Sequence, residues 1–247
     1  MIRLIITLLF VILFLICSIP IFLIELIIGK FNPTAKDKSS LAIVCWAFRV
    51  VMFLSGVKAT YIGDENIPKD EAVLFVGNHR SYFDIVINYG HIGKLGKLTG
   101  FIAKKEVDKV PLLNVWMRFL HCLFLDRSNI KAGLKMILAA IEQVKNGISV
   151  FIFPEGTRNK TSEPLIEFHE GSFKIAQKAD CAIIPVTINN SRAILEDHFP
   201  FIRRTHVVVE YGKPVYIKEL PPENQKLVGQ YVKGIIAETY EKNHSLV

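Results

Sequence analysis

Paired cysteines and closely spaced histidines are both missing from the sequence. Its four cysteines are Cys17, Cys45, Cys122 and Cys181. They form no C-x-x-C pair, which excludes a zinc ribbon and a disulfide framework and predicts reduced thiols in a cytoplasmic compartment. The H-E-x-x-H spacing of zinc hydrolases is absent as well. We therefore expect no metal and no bound cofactor.

The sequence also has no G-x-S-x-G elbow, which excludes the serine nucleophile of the α/β-hydrolase type. It contains no internal repeat, no low-complexity tract and no long Gly/Ser linker that would separate two catalytic domains. The predicted organisation is a membrane-anchoring helical segment, residues 1–57, followed by one α/β catalytic domain, residues 58–247.

Charged side chains are absent from residues 4–24. About 20 apolar residues suffice to cross the hydrocarbon core of a bilayer as a helix. Pro20 would kink that helix, so a spanning segment and a half-inserted segment both fit. A cleaved signal peptide is the competing interpretation, but the run lacks a small-x-small cleavage site near its end. We expect a membrane anchor.

A second apolar stretch, about residues 41–57, follows a polar break at residues 32–40 and contains one charge, Arg49. It is predicted to be a helix that lies along the membrane or against the first segment. The alternative is a buried helix of the globular core.

Positive charge exceeds negative charge in the chain as a whole. The formal net charge is +7 and 51% of the residues are hydrophobic. A basic surface suits nucleic acid or anionic lipid, and the apolar N-terminus favours a phospholipid bilayer and no nucleic acid. Lysines after the first apolar run predict the cytoplasmic membrane, with the catalytic domain on the cytoplasmic face. They are Lys30, Lys36 and Lys38.

Beyond residue 57, short β-branched and aromatic runs alternate with helical patterns. The predicted strands cover residues 72–76, 99–103, 122–125, 148–153, 182–187 and 206–211. One helix is expected to stop at Asn146-Gly147, and a last helix is expected after Pro221-Pro222. Its predicted buried stripe is Leu227, Tyr231, Val232, Ile235 and Ile236. The alternation predicts an α/β fold with a central mixed, largely parallel sheet flanked by helices, preceded by the two-helix anchor.

A histidine and an aspartate follow the predicted strand at residues 72–76. In N-H-R-S-Y-F-D, residues 78–84, Asp84 can accept one imidazole N–H of His79 and leave the other nitrogen free to take a proton. Without a nucleophile in the chain, this general base would activate a substrate hydroxyl for acyl transfer. Alternatively, Ser81-x-x-Asp84 is only a capping box that serves the helix end.

The segment F-P-E-G-T-R, residues 153–158, also follows a predicted strand. Gly156 would allow a tight turn, so that Glu155 and Arg158 emerge at the sheet edge. An arginine there can bind phosphate with two parallel hydrogen bonds. A surface turn with a solvated ion pair is the competing interpretation.

A third cluster combines charged residues that follow two other predicted strands: Lys104, Lys105, Glu106, Asp126 and Arg127. Cations at the ends of neighbouring strands could converge on one anionic headgroup. Solvated lysines are the alternative.

Together these motifs resemble the PlsC-type glycerolphosphate acyltransferase family, best known for lysophosphatidic acid acyltransferase, over about residues 57–191. The family's N-H-x-x-x-x-D motif matches Asn78, His79 and Asp84, which implies that His79 is the base and Asp84 its partner. The F-P-E-G-T-R motif is complete and implies contacts with the acceptor's phosphate. The predicted substrate-binding residues are Asn78, Lys104, Lys105, Arg127, Glu155, Gly156, Thr157 and Arg158.

Two further family motifs are present. An apolar run ending in Pro-Val is matched at residues 183–186, and the K-x-E-L to F-x-D-R motif is matched by Lys105, Pro111, Phe124, Asp126 and Arg127. This second motif departs from the family at Val107, Asn114 and His121. Because that region shapes substrate binding, acceptor and chain-length preferences stay open.

The resemblance implies transfer of a fatty acyl group from acyl-CoA or acyl carrier protein to the sn-2 hydroxyl of lysophosphatidic acid, giving phosphatidic acid. The acyl thioester is a co-substrate. The same chemistry on glycerol 3-phosphate, another lysophospholipid or a lyso-aminolipid is an alternative. A thioesterase and a non-catalytic membrane protein that binds anionic lipid are others.

Overall fold

A seven-stranded sheet lies at the centre of the chain in the computed structural model, which describes residues 1–126 and 128–247. Its strands are β1 (Val57–Ile62), β2 (Leu74–Gly77), β3 (Thr99–Lys104), β4 (Leu123–Leu125), β5 (Ser149–Ile152), β6 (Ile183–Asn189) and β7 (Thr205–Tyr211). The strand order is β1-β7-β6-β2-β5-β3-β4. Neighbouring strands are parallel, except β6 and β7, which are antiparallel. The predicted fold class, a mixed and largely parallel sheet flanked by helices, is confirmed.

The α-helices of the described residues precede and flank this sheet. They are α1 (Ile2–Cys17), α2 (Ile19–Phe31), α3 (Pro33–Ser55), α4 (Phe83–Lys94), α5 (Leu113–Phe119), α6 (Ile130–Lys145), α7 (Lys174–Ala179), α8 (Pro222–Lys226) and α9 (Val228–Lys242).

Side chains of the central strands alternate between two hydrophobic clusters. Phe75 of β2 packs in one cluster with Ile87 of α4, whereas its neighbours Leu74 and Val76 pack in the other with Ile236 of α9. Successive residues of a strand point to opposite faces of a sheet. The clusters therefore form two cores, with α3, α4 and α5 over one face and α6, α7 and α9 over the other.

The first apolar segment is two helices bent by 50° at Ser18. Pro20 is the second residue of α2, so its missing N–H falls in the first turn, where no helical hydrogen bond is lost. By length and composition α3 could cross a membrane, and α1 with α2 would make a second crossing if the bent pair were one span. A bend is therefore present in this segment, as predicted, but it lies at Ser18, two residues before Pro20.

Helix α3 begins earlier than predicted. Asn32 caps it by accepting the N–H of Ala35 at 3.0 Å, and Pro33 is its first residue. Most of the segment predicted to be a polar break is therefore helical, and that prediction was wrong. Buried residues of α3, such as Leu41 and Val44, belong to the same hydrophobic cluster as α4. The division of the chain at residue 57 stays a prediction.

Each of the six predicted strands is present, and no strand end differs from the predicted one by more than two residues. Strand β1 was not predicted. Helix α6 ends as expected, with Asn146 as C-cap and Gly147 at φ 84°. The stripe predicted for the last helix was wrong at Leu227, which separates α8 from α9 and is exposed, whereas Val232 and Ile236 are buried.

Candidate active site

Three adjacent parallel strands bring three loops to one edge of the sheet. β2 pairs with β5 on one side and with β6 on the other. The carboxyl ends of parallel strands meet at the same edge, where α/β proteins bind their ligands. The loop after β2 carries His79, the loop after β5 carries Arg158, and the loop after β6 carries Arg192 and Glu196.

His79 and Asp84 are in contact. Nδ1 of His79 lies 2.9 Å from Oδ2 of Asp84, which is the second residue of α4 and is fully buried. A carboxylate in this position accepts the Nδ1–H and leaves Nε2 unprotonated, so that Nε2 can accept a proton. The hydrogen bonds of the described chain include none to Nε2.

Asp84 also binds the backbone of the loop. Its Oδ2 accepts the N–H groups of Arg80 and Ser81, both at 2.7 Å. A single carboxylate oxygen therefore binds both the imidazole of His79 and the backbone of the turn before α4. The catalytic interpretation and the helix-end interpretation of Asp84 are geometrically compatible.

The imidazole of His79 packs flat against an aromatic ring. Its centroid lies 4.1 Å from that of Phe153, with 17° between the planes, and its side chain is 14% exposed. Phe153 opens the loop that follows β5. The ring is thus fixed in orientation while an edge faces solvent, as a proton acceptor for a bound substrate requires.

Asn78 joins two strands. Its amide oxygen accepts the N–H of Ile188 at 2.8 Å, and its amide nitrogen donates to the carbonyl of Ile188 at 3.0 Å. The side chain is buried and extends the link between β2 and β6 just before His79. Asn78 therefore positions the loop, and its predicted contact with substrate stays a prediction.

Glu155 lies beneath the loop that carries His79. It is 3% exposed, and its Oε1 accepts the backbone N–H of His79 at 2.9 Å. Burial raises the pKa of Glu155 to about 7, and the nearby Asp84 carboxylate raises it further against the lowering effect of that hydrogen bond. The carboxyl group supports the turn, and its contact with substrate stays a prediction.

Arg158 reaches back over the start of α4. Its guanidinium carbon lies 3.6 Å from the ring centroid of Tyr82, a cation–π contact. Gly156 has φ 68°, which confirms the predicted tight turn, and a Cβ there would lie 3.0 Å from His169. Thr157 is exposed. Substrate contacts of these three residues stay predictions.

Glu196 connects all three loops and was not predicted. Its carboxylate accepts hydrogen bonds from Ser81 Oγ at 2.7 Å, from the N–H of Tyr82 at 2.9 Å and from Arg158 Nη1 at 3.2 Å. It lies seven residues beyond the end of β6, which was predicted as a strand. Its place after a central parallel strand is the signal that could have identified it.

A basic cavity of about 230 Å³ lies beside the loop that carries His79, and we call it the arginine cavity. It is lined by Arg80, Arg158, Asn159, Lys160, Arg192 and Glu196. Only Arg158 among its cations was predicted from the sequence. Arg80 directly follows His79 in the chain, and the N–H of Asn159 donates to the His79 carbonyl at 2.7 Å.

Lys104 and Lys105 do not line the arginine cavity. Lys104 is the last residue of β3 and Lys105 follows it, on the far side of β5 from β2. Both are more than half exposed and pair with Glu106 and Asp126, each at 3.0 Å. Hydrogen bonds from Ser128 and Lys105 lower the pKa of Asp126 to about 2. The role predicted for the two lysines in binding phosphate stays a prediction, and Arg127 lies outside the described residues.

Comparison with known proteins identifies the family of the chain. The model of the family described as Acyltransferase matches residues 58–189. The crystal structure of the 1-acyl-sn-glycerophosphate (LPA) acyltransferase PlsC from Thermotoga maritima is 26% identical, with a TM-score of 0.73 over 97% of both chains.

Curated relatives bear the name 1-acyl-sn-glycerol-3-phosphate acyltransferase. That of Borreliella burgdorferi is 30% identical over 75% of this chain and 69% of its own length. That of Saccharomyces cerevisiae is 28% identical over 76% of this chain, and a probable one from Mycoplasma pneumoniae is 37% identical over 59%. This chain spans only 60% and 54% of those two proteins. The chain belongs to the acyltransferase family, as its motifs predicted, and is an O-acyltransferase.

Proposed function

We propose that the chain transfers a fatty acyl group from an acyl thioester to the sn-2 hydroxyl of lysophosphatidic acid, giving phosphatidic acid. The observation that carries the proposal is the 2.9 Å contact between His79 and Asp84 beside the arginine cavity. This arrangement places a base beside a basic cavity that is large enough for a phosphate group. The names of the relatives support the choice of acceptor.

In the proposed reaction, Nε2 of His79 takes the proton of the acceptor hydroxyl as its oxygen attacks the thioester carbonyl. Asp84 stabilises the resulting imidazolium through Nδ1. Collapse of the tetrahedral intermediate breaks the carbon–sulfur bond, and the departing thiolate receives the proton from His79. No acyl-enzyme forms, and the reaction needs no cofactor beyond the thioester co-substrate, acyl-CoA or acyl carrier protein.

Orientation of the acceptor comes from its phosphate. Arg158 binds the headgroup in the proposed complex, and this contact points the free hydroxyl toward His79. Holding the hydroxyl in this orientation lowers the entropic cost of the reaction. The predicted contributions of Lys104, Lys105 and Arg127 belong to the same proposal. β3 and β4 end at the same edge of the sheet as β2 and β5. The two lysines form solvent-exposed ion pairs there.

A phospholipid bilayer is the proposed partner of α1 and α2. Large apolar side chains along these helices are exposed, among them Ile2, Leu23 and Phe31. Burial of such a surface in lipid is favourable and brings the site to the membrane, where a long-chain lysophospholipid resides. The proposed location is the cytoplasmic membrane, with the sheet on the cytoplasmic side.

The test is His79→Ala, assayed with labelled acyl-CoA and lysophosphatidic acid in mixed micelles. Loss of the base should lower kcat by about 10² to 10⁴. The variant should still fold, with a modestly lower thermal unfolding midpoint because the ring packs on Phe153 and hydrogen-bonds Asp84. His244→Ala, an exposed histidine near the C-terminus, is the matched control and should keep wild-type activity. Turnover of His79→Ala near the wild-type rate contradicts the proposal, and donor hydrolysis without acceptor by the wild type would indicate a thioesterase.

A further inference from the structure

Two arginines of the arginine cavity meet at one carbonyl oxygen. Arg80 Nη2 and Arg192 Nη1 each donate to the carbonyl of Thr161 at 2.9 Å. The two residues come from different loops, after β2 and after β6, so the fold brings these like charges together. Adjacent guanidinium groups repel each other, and the arrangement becomes favourable when both bind one anion.

The segment that holds the two arginines is itself fixed to the loop of His79. The amide oxygen of Asn159 accepts the N–H and the hydroxyl of Thr161 at 2.9 and 2.7 Å, and its amide nitrogen donates to the carbonyl of Glu163 at 2.7 Å. Asn159 is 2% exposed, and its own N–H donates to the His79 carbonyl. The position of both guanidinium groups relative to His79 is therefore set by buried hydrogen bonds.

The charge of the arginine cavity matches a dianion. Four cationic side chains and Glu196 line it, and Asp197 pairs with Arg192 at 2.6 Å. The two carboxylates leave two positive charges uncompensated. In addition, Nε of Arg80 is buried and has no hydrogen-bond partner within the described part of the chain. A phosphate monoester carries nearly two negative charges at neutral pH and has three acceptor oxygens, whereas a diester carries one.

We propose that Arg80 and Arg192 join Arg158 in binding the phosphate monoester of the acceptor, and that they select monoester over diester headgroups. This inference rests on the proposed function, because it takes the acceptor to be a phosphate-bearing lysolipid. Arg158 uses one Nη1 hydrogen bond for Glu196 and has further N–H donors. Arg80 and Arg192 add hydrogen-bond donors for the third phosphate oxygen of the monoester and positive charge for its second negative charge.

The decisive variant is Arg192→Gln, because Arg80 adjoins His79. Its acceptors are lysophosphatidic acid, a monoester, and lysophosphatidylglycerol, a diester, in the same micelles with one acyl-CoA. Loss of a charge-assisted hydrogen bond should lower kcat/KM for the monoester by about tenfold or more, mainly through KM, and change the diester little. Arg192→Lys should restore part of the loss. An equal fall for both acceptors, or wild-type selectivity, overturns the inference.

Arg203→Gln is the matched control, since Arg203 is exposed and does not line the arginine cavity. It removes the same charge and should leave selectivity unchanged. Arg80→Gln is the second variant and should show the same selective loss. If Arg203→Gln shifts selectivity as much as Arg192→Gln does, long-range charge explains the effect and the proposed site is wrong.

Binding measured on the His79→Ala background separates this inference from the proposed function. Calorimetry should show that adding Arg192→Gln weakens binding of lysophosphatidic acid about tenfold more than binding of lysophosphatidylglycerol. If the wild type forms no phosphatidic acid but this selective loss is seen, the function is wrong and the phosphate site stands. If phosphatidic acid forms and the loss is not selective, the phosphate site is wrong.

Discussion

Asp84 uses one oxygen for three hydrogen bonds, and this decides how its variants are to be interpreted. Oδ2 accepts from His79 Nδ1 and from the backbone N–H groups of Arg80 and Ser81. Asp84→Ala therefore leaves the backbone N–H groups of Arg80 and Ser81 without their acceptor, which costs about 1–3 kcal/mol each. A drop in activity of Asp84→Ala mixes chemistry with loop structure, whereas Asp84→Asn keeps an amide oxygen that can accept the same hydrogen bonds.

Glu155→Gln should change how stability depends on pH. Burial raises the pKa of Glu155 from 4.5 to about 7, so between these values the folded state holds a proton that the unfolded state has lost. The free energy of unfolding therefore falls as pH rises through this window and stays low above it. The variant has no carboxyl group to titrate at this position. The difference in free energy of unfolding between variant and wild type should therefore be ~3 kcal/mol more favourable to the variant at pH 8 than at pH 5. Urea unfolding at both pH values measures it.

Glu163→Gln is the control for that experiment. Glu163 is exposed in the loop beyond Arg158, so Glu163→Gln makes the same chemical change at a solvated position. Its variant should follow the pH dependence of the wild type. If Glu155→Gln does so as well, the buried carboxyl group does not titrate in the window that its surroundings predict.

The candidate site was predictable where its contacts are local in sequence. His79 and Asp84 are five residues apart in one strand-to-helix corner, so spacing alone brought them together. Arg192 and Glu196 lie more than 100 residues away from that corner, and only the order of β6, β2 and β5 places them beside it. Spacing carries no information on strand order. The sequence therefore grouped Lys104 and Lys105 with Arg158 and could not identify Arg192.

At the scale of elements, the bend between α1 and α2 is held by a residue of the sheet domain. Trp116 of α5 donates its indole N–H to Ser18 Oγ at 3.0 Å, and Ser18 donates to the carbonyl of Leu15 at 2.8 Å. The indole also lies against Phe14 of α1 and Phe22 of α2, with ring centroids 5.9 and 5.2 Å away. One aromatic side chain therefore fixes the angle between the two apolar helices.

Ser18→Ala should destabilise the chain, because it leaves the buried indole N–H without an acceptor at a cost of about 1–3 kcal/mol. Trp116→Phe removes the donor and some packing as well. The double variant has no unsatisfied indole N–H. Its loss of stability should therefore be smaller than the sum of the losses of the two single variants. Thermal unfolding of the four proteins in one detergent gives the coupling energy. Strict additivity would contradict a hydrogen bond between the two side chains.

Elements were predictable where their side chains repeat with a clear period or lie in buried runs. The strands β2, β5 and β6 are buried along their whole length and were found. β1 is a half-buried edge strand directly after α3, so its short pattern merged with the apolar helix. The start of α3 was missed because its first turns carry Lys36, Asp37, Lys38, Ser39 and Ser40, which interrupt the apolar pattern. Asn32-Pro33 is nevertheless a helix-start signal.

The whole molecule has two parts with opposite surfaces. Around the sheet, apolar side chains are packed into the two cores. Along α1 and α2 they point outward, and the acidic Glu25 is instead buried, where its Oε2 accepts the hydroxyl of Ser39 on α3 at 2.8 Å. Apolar residues outside and a paired carboxylate inside are the distribution expected for helices in contact with lipid.

Leu23→Gln combined with Ile27→Gln should therefore weaken binding of the full chain to phosphatidylglycerol vesicles. Both side chains lie on α2 and are 62% and 61% exposed. Transfer of each into lipid is worth about 1.5–3 kcal/mol, so the pair should lower the partition coefficient by at least about tenfold in a vesicle flotation assay. Ile130→Gln is the matched control, since Ile130 is 91% exposed at the start of α6 and lies outside the N-terminal helices. Equal loss of binding in the control would mean that general surface hydrophobicity, and not the α1–α2 segment, holds the chain at the bilayer.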